Sequence, residues 1–134
     1  MNCQYCHAVL PPKHKTYCSA TCHAKHTRQT KLEQWKRKEI VGYKGVAMVI
    51  KDFVRDYLLE KYSNKCVKCG WGERHPLSKR PCLEIDHIDG DASNSYEDNL
   101  TVLCPNCHSL TPNHRGFNKT KEKRFRKYGA PGRA

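Results

Sequence analysis

Apolar residues recur at helical spacing over one stretch of the chain: Val46, Val49, Ile50, Phe53, Val54, Tyr57 and Leu58. Positions three and four apart share a helix face, so the pattern predicts a core helix over residues 46–62. Residues 20–41 are helix-forming by residue type but almost wholly polar, with Leu32, Trp35 and Ile40 as the main apolar positions. A helix so polar is solvated or lies on something charged. Ser19 and Thr21 are its candidate N-caps, and Gly42 and Gly45 mark the break after it. Residues 82–88 alternate, with Leu83, Ile85 and His87 on one face and Glu84, Asp86 and Ile88 on the other. That predicts a short strand. Asp89-Gly90-Asp91 reads as a turn, 92–98 as a polar loop and 100–103 as a returning strand. Pro105 suits the first position of a helix carrying Cys107 and His108, and Pro112 limits its length. Residues 71–81 read as a loop. Residues 119–134 have no clear apolar period, and read as a loose helix or a disordered tail.

Composition makes a conventional core hard to build. Hydrophobic residues are 37% of the 134 and the mean hydropathy is −0.86, whereas a small domain buries only about 60% of its unfolded surface. Something besides apolar burial must hold the chain together. Eight of the nine cysteines fall in pairs: Cys3/Cys6, Cys18/Cys22, Cys66/Cys69 and Cys104/Cys107. Spacings this tight are poor for four disulfides and good for metal. Cys3, Cys6, Cys18 and Cys22 bracket a turn at Pro11-Pro12-Lys13 and predict a zinc module over 1–24, folded by its ion. His7, His23 and His26 are alternative ligands there. Cys66-Val67-Lys68-Cys69-Gly70 reads as a zinc knuckle whose glycine relieves the tight turn. With Cys104 and Cys107 it makes a four-thiolate set, a closed structural site. Cys82 is left as a buried or idle thiol. Two structural Zn²⁺ are therefore expected. The N-terminal MNCQYCHAVL lacks a signal-like apolar region, and the longest apolar run is only Val46-Ala47-Met48-Val49-Ile50, far below the ~20 residues of a membrane span. The expectation is an intracellular, reduced, cytoplasmic protein with no membrane partner.

Charge points to a polyanion. Lys and Arg number 25 against 13 Asp and Glu, a formal net charge of +12. Eight thiolates and two Zn²⁺ would bring this to about +8, still basic enough to favour nucleic acid. Six of the thirteen acidic residues (Glu84, Asp86, Asp89, Asp91, Glu97, Asp98) nevertheless crowd into 84–98, a stretch without Lys or Arg. Either this is a polar loop rich in turn-forming Asp, or a cation sits there.

The residues around that cluster decide between the two. The stretch reads Asp86-His87-Ile88-Asp89-Gly90, then Glu97-Asp98-Asn99-Leu100, then Leu103-Cys104-Pro105-Asn106-Cys107-His108. In this it resembles the HNH nucleases of the ββα-metal fold, in the subgroup with a Cys-x2-Cys pair on either side of the motif. The resemblance reaches back through Lys65–Gly70 to the preceding helix and forward to about Asn118, roughly half the chain. It implies an endonuclease that hydrolyses DNA phosphodiester bonds, by nicking or double-strand cleavage, with a catalytic divalent ion (Mg²⁺, Mn²⁺ or another). The residue types suit that chemistry: a base must activate water, and a cation must meet the charge of the transition state and leaving oxygen. The resemblance implies His87 as the base, Asp86 and His108 as ligands of the divalent ion, and Asn99 as the residue that keeps His87 in place. Neighbours on a strand point to opposite faces, so Asp86 and His87 can share a site only if the strand ends or kinks there, which Asp89-Gly90 permits. Some HNH enzymes carry a further His four residues after the helix His. Pro112 stands there in this chain, and Asn113, His114 and Asn118 are the candidates for a third ligand or a phosphate contact.

The expected fold class is a small, metal-stabilised α+β protein: a ββα-metal core with a structural zinc site, preceded by helices and a small N-terminal zinc module. The expected organisation is the zinc module at 1–24, a basic helix or linker at 25–45, the nuclease domain at 46–118 and a basic tail at 119–134. Residues 25–44 hold seven Lys/Arg against two Glu, and 115–127 hold seven against one. Beside a nuclease motif these runs are read as phosphate contacts to double-stranded DNA, carried by Lys25, Arg28, Lys31, Lys36, Arg37, Arg115, Lys119, Lys121, Lys123 and Arg124. A monomer or weak dimer is expected, with a further protein partner left open. The chain resembles the free-standing HNH enzymes of phage genomes, some of them homing endonucleases, which would act in the host cytoplasm. The rival reading is a zinc-dependent nucleic-acid-binding protein without catalysis. It shares the basic runs and both cysteine sets, but has no use for the acidic cluster or for Asp86, His87 and His108 together.

Overall fold

The structure, a computed structural model, describes residues 1–112. The chain divides into two compact units, Met1–Gly42 and the remainder from Tyr43.

The first unit is built on its cysteines. A bridge between Asn2 and Val9 closes a small loop, within which the His7 N–H bonds the Cys3 carbonyl at 2.9 Å. Helix α1 (Ala20–Lys36) follows, capped by Ser19, whose hydroxyl accepts from the Cys22 N–H at 3.2 Å. Trp35 is its one fully buried side chain. The helix ends five residues short of the predicted 41. Lys38 takes a left-handed φ of +60°. Its N–H bonds Trp35 O, while the Glu39 N–H reaches back to Gln34 O. These two bonds close the last turn as a Schellman cap, with Lys where Gly is usual.

The second unit corrects the predicted core helix. Residues 43–50 form a hairpin, β1 (Tyr43–Lys44) paired antiparallel with β2 (Val49–Ile50). Gly45 (φ +73°) and Met48 (φ +54°) make its turn. Val46 is fully exposed there and Val49 largely so. The apolar period continued through them by chance, and the two glycines were the better signal. Helix α2 is shorter (Asp52–Lys61) and buries Val54, Leu58 and Leu59. It packs on strand β4 (Leu100–Leu103), which pairs antiparallel with β3 (Glu84–His87) in the register Glu84↔Leu103 to His87↔Leu100. Arg55 ties α2 to β3's entry by donating to Leu83 O at 2.9 Å. A single 3₁₀ turn (Glu97–Asn99) leads into β4, and helix α3 (Pro105–Ser109) follows it, with Pro105 at its first position. Leu83, Leu100, Val102 and Leu103 complete a core lean enough to need the buried Cys66 and Cys104 beside it. The unit is a small α+β fold of β3, β4 and α3 in ββα order. The 71–81 segment, expected as a loop, carries an isolated bridge from Arg74 to Pro81.

The basic-tail residues Arg115, Lys119, Lys121, Lys123 and Arg124, and the ligand candidates Asn113, His114 and Asn118, lie outside the described residues. Among those described, no helix is long and apolar enough to cross a membrane.

Candidate active site

Two four-cysteine clusters assemble, Cys3/Cys6/Cys18/Cys22 and Cys66/Cys69/Cys104/Cys107, each with all its sulfurs within 4.8 Å of one another. The separations Cys6–Cys18 (3.6 Å), Cys18–Cys22 (3.4 Å) and Cys69–Cys104 (3.6 Å) are far beyond a disulfide's ~2.05 Å. They are close to the roughly 3.8 Å edge of a tetrahedron with metal–sulfur bonds of about 2.3 Å. Protonation shows why a cation belongs there. Burial pushes the Cys66 thiol up, yet backbone N–H groups of Cys69, Cys104 and Lys68 outweigh it and bring it down to about 6. Its partner Cys107, hydrogen-bonded by Cys104, is pushed up to about 12. Cys3 and Cys18 split in the same way, to about 6 and about 12. Four adjacent sulfurs cannot all ionise unless a cation sits among them. Both sets therefore suit structural zinc, and Cys22 completes the first. His26 instead bonds the Tyr17 hydroxyl at 2.7 Å, and His23 stacks on the Tyr17 ring. Cys82 lies in neither cluster.

The second cluster clamps the ββα unit. The Val67 N–H bonds Val102 O at 3.0 Å, fastening the first knuckle to β4. Cys104 caps α3, its sulfur accepting from the Cys107 N–H at 3.4 Å. Gly70, at φ +78°, allows its N–H to close on Cys66 O. The clamp fixes α3 beside β3, and α3 carries His108.

There the helix and strand residues meet. His108 Nε2 lies 3.3 Å from Asp86 Oδ1, and its Nδ1 lies 3.0 Å from Glu84 Oε2. Strand alternation accounts for this: Glu84 and Asp86 are two apart and share a face. On this strand Asp86 is buried and Ile85 half-buried. The face facing α3 is the acidic one. When one nitrogen of His108 donates to Glu84, the other is left with its lone pair on Asp86's side, an imidazole–carboxylate pair suited to a divalent ion.

His87, next along β3, is half-buried on the opposite face. Its Nε2 lies 3.2 Å from Ser95 Oγ, and that hydroxyl donates to Ala92 O at 2.8 Å. The serine proton being committed, its oxygen accepts from His87 Nε2–H, and the neutral ring carries its lone pair on Nδ1. Burial holds the His87 pKa below its ordinary value, against the opposing pull of Asp86, Asp89 and Asp91.

β3 ends at His87, the last residue of its pairing with β4. The Gly90 N–H bonds His87 O, with Gly90 at φ +76°, and the Ile88 N–H bonds Asn99 O. Asn99 is buried, and its amide holds the loop that follows: Nδ2 donates to Asp89 Oδ1 and Asn94 O at 2.8 Å each, and Oδ1 accepts from the Asp89 N–H at 3.1 Å. These bonds take up the acidic residue Asp89, while Asp91 accepts from Ser93. The structure brings His108 to Asp86 and Glu84, whereas His87 turns to Ser95 and Asn99 to the loop after β3. Sequence reasoning missed Glu84 and Ser95. Glu84 was visible in the i, i+2 period of the strand, whereas nothing in the sequence marked Ser95.

Of the predicted DNA contacts, Lys25, Arg28, Lys31 and Lys36 lie on α1 and Arg37 is its C-cap, paired with Glu39 at 3.1 Å.

Comparison with known proteins finds three similarities. Residues 66–113 match the family model described as HNH endonuclease. The chain is 48% identical over 58 residues to H-N-H endonuclease F-TflIV of Escherichia phage T5; the match covers 41% of this chain and 23% of that protein. The chain therefore spans about a quarter of that relative's length. It is also similar to a solved structure, the Type IV phosphorothioation-dependent restriction endonuclease ScoMcrA, with a TM-score of 0.44 and 23% identity over 71% of this chain and 21% of that one. Cysteine clamp, ββα order and the match to the HNH endonuclease family model fall on the same residues, the segment 66–113.

Proposed function

We infer that the chain is a metal-dependent DNA endonuclease with its active centre at Asp86, His87 and His108. The observation that carries this is the convergence of His108 on Glu84 and Asp86 at 3.0 and 3.3 Å, beside a neutral, half-buried His87 at the strand's end. Asp86 and His108 would hold a divalent ion such as Mg²⁺ or Mn²⁺, and Glu84 fixes the ring of His108. When bound, the ion supplies positive charge to the phosphate and to the departing oxygen. Two protein ligands leave room for phosphate oxygens and water, as Mg²⁺ prefers. His87 takes a proton on Nδ1 from the water that attacks phosphorus, and the phosphodiester P–O bond on the far side breaks. Asn99 holds the 89–94 loop and the end of β3, and with them the orientation of His87.

The two zinc-suited clusters are structural in this reading, because four thiolates leave no open position for substrate. Double-stranded DNA is the substrate, and the phosphate contacts come from α1 (Lys25, Arg28, Lys31, Lys36), Arg37 and the basic tail (Arg115, Lys119, Lys121, Lys123, Arg124). The protein works in a reducing, intracellular setting that keeps its nine cysteines out of disulfides.

Supercoiled plasmid incubated with Mg²⁺, with Mn²⁺ and without a divalent ion tests the reading. Metal-dependent conversion to open-circle or linear DNA is expected. Binding indifferent to the ion, with no product in any lane, would instead establish the non-catalytic zinc-dependent binding protein.

A further inference from the structure

The zinc clamp has an outer side that the proposed chemistry leaves unused. Beyond Cys69 the chain turns back on itself and forms an open hollow of about 620 Å³, within the roughly 300–1,000 Å³ of small-molecule sites. Trp71 lines it together with Lys65, Arg74, His75 and Lys79.

The indole is held as a platform. The Trp71 carbonyl accepts from the Cys66 N–H at 2.8 Å, and the Trp71 N–H is directed at the Cys69 sulfur. Both backbone groups of Trp71 are thus fixed to the knuckle. Gly72 presses the loop inward: a Cβ there would stand 2.7 Å from Asn64 O, so only glycine permits the approach. The indole itself remains 39% exposed. An exposed Trp on a rigid knuckle is unusual for a chain this poor in apolar residues, and the other tryptophan, Trp35, is fully buried.

The rim is cationic. Lys65, Arg74 and Lys79 face a single carboxylate, Glu73. One Arg74 nitrogen donates to Lys79 O at 3.0 Å, which steadies the guanidinium at the rim. His75 accepts the Leu77 and Ser78 N–H groups on Nδ1, at 3.2 and 3.3 Å. That fixes the neutral ring as the Nε2–H tautomer and makes its outer nitrogen a donor. A flat aromatic surface ringed by donors and positive charge matches one ligand chemistry: a base to stack and a phosphate to pair. Bases inside a duplex are covered by their neighbours, so an indole reaches only a base outside the stack.

We propose that this hollow binds an unpaired nucleotide of the substrate DNA, with its base stacked on Trp71 and its phosphate held by Lys65, Arg74, His75 and Lys79. The proposal rests on the reading of the chain as a DNA enzyme. It adds a preference for DNA with an unpaired or displaced strand.

The test compares two fluorescein-labelled hairpin duplexes, one blunt and one with a single-stranded thymidine extension, in buffer without added divalent ion. Fluorescence polarisation is read with wild type, Trp71→Ala and Trp71→Phe, after zinc content and melting temperature show that each variant is folded. Wild type should bind the extended duplex more tightly. Trp71→Ala should lose about tenfold on the extended duplex, the size of one lost base–aromatic stack, with little change on the blunt one. Trp71→Phe should recover most of the loss. Equal binding of both duplexes by wild type, or an equal loss on both in Trp71→Ala, would overturn the proposal. Those outcomes leave the plasmid assay unaffected, whereas an inactive wild type in that assay would fail the nuclease reading with this site intact.

Discussion

Nδ1 of His108 lies 3.0 Å from Oε2 of Glu84, while its other nitrogen faces Asp86. A helix residue and a strand residue 24 positions apart in sequence thus set how the two nitrogens of the imidazole are turned. A ligand histidine whose second nitrogen donates to a carboxylate is held in one tautomer and one orientation, and loss of such a partner typically lowers metal affinity or activity about 10–100-fold.

Glu84→Ala is therefore expected to raise the Mg²⁺ or Mn²⁺ concentration needed for half-maximal nicking by about 10–100-fold. Glu84→Gln, which keeps an acceptor oxygen, should recover part of that. The Glu84 side chain is about half exposed, so the melting temperature should stay at the wild-type value. A wild-type metal titration in Glu84→Ala would remove Glu84 from the site.

The cysteine geometry predicts two zinc ions per chain by elemental analysis of the purified protein. Cys66→Ser should retain one and should unfold at lower temperature, because the knuckle fastens β4 and α3. A zinc content of one in wild type would single out one cluster as unfilled, and a content of zero would contradict the zinc assignment altogether.

Asn99→Ala should destabilise the second unit by about 1–3 kcal/mol, since it strips a buried amide whose partners are then left unpaired. Denaturant unfolding measures this. Nicking should fall as well, through the loosened end of β3. Unchanged stability would mean that the 89–94 loop holds itself.

His7 follows the Cys3/Cys6 pair at the place where Gly70 follows the Cys66/Cys69 pair. Both are left-handed, at φ +63° and +78°. A side chain in that conformation costs about 1–2 kcal/mol. His7→Gly should thus release zinc more slowly to a chelator; faster release would assign the histidine side chain a structural role of its own.

Much of this was legible in the sequence because it lies in short-range patterns. Paired cysteines marked both clusters, and the order Asp-His, Asn-Leu, Cys-x2-Cys-His marked the ββα unit. Ser19 and Pro105 marked two helix starts. The 43–50 hairpin was not legible, because β-branched Val46, Val49 and Ile50 happen to continue the helical period of α2. The strand period places Glu84 on the face of Asp86, but its bond to His108 comes from the packing of α3 on β3, which no local pattern shows. Ser95 was hidden because its role comes only from the path of the 89–94 loop. The Trp71 hollow reads as plain loop, since Gly72's close approach to Asn64 has no signature in residue type.

The most direct test of the active centre is the nicking rate of His87→Ala on supercoiled plasmid with Mg²⁺, set against wild type at matched zinc content and matched DNA affinity. His87 makes one side-chain bond, to Ser95, so the variant should fold. Loss of the base should lower the rate by about 10²–10⁴-fold. A folded variant that binds DNA normally and nicks within a few-fold of wild type would contradict His87 as the base and, with it, the reaction centre described.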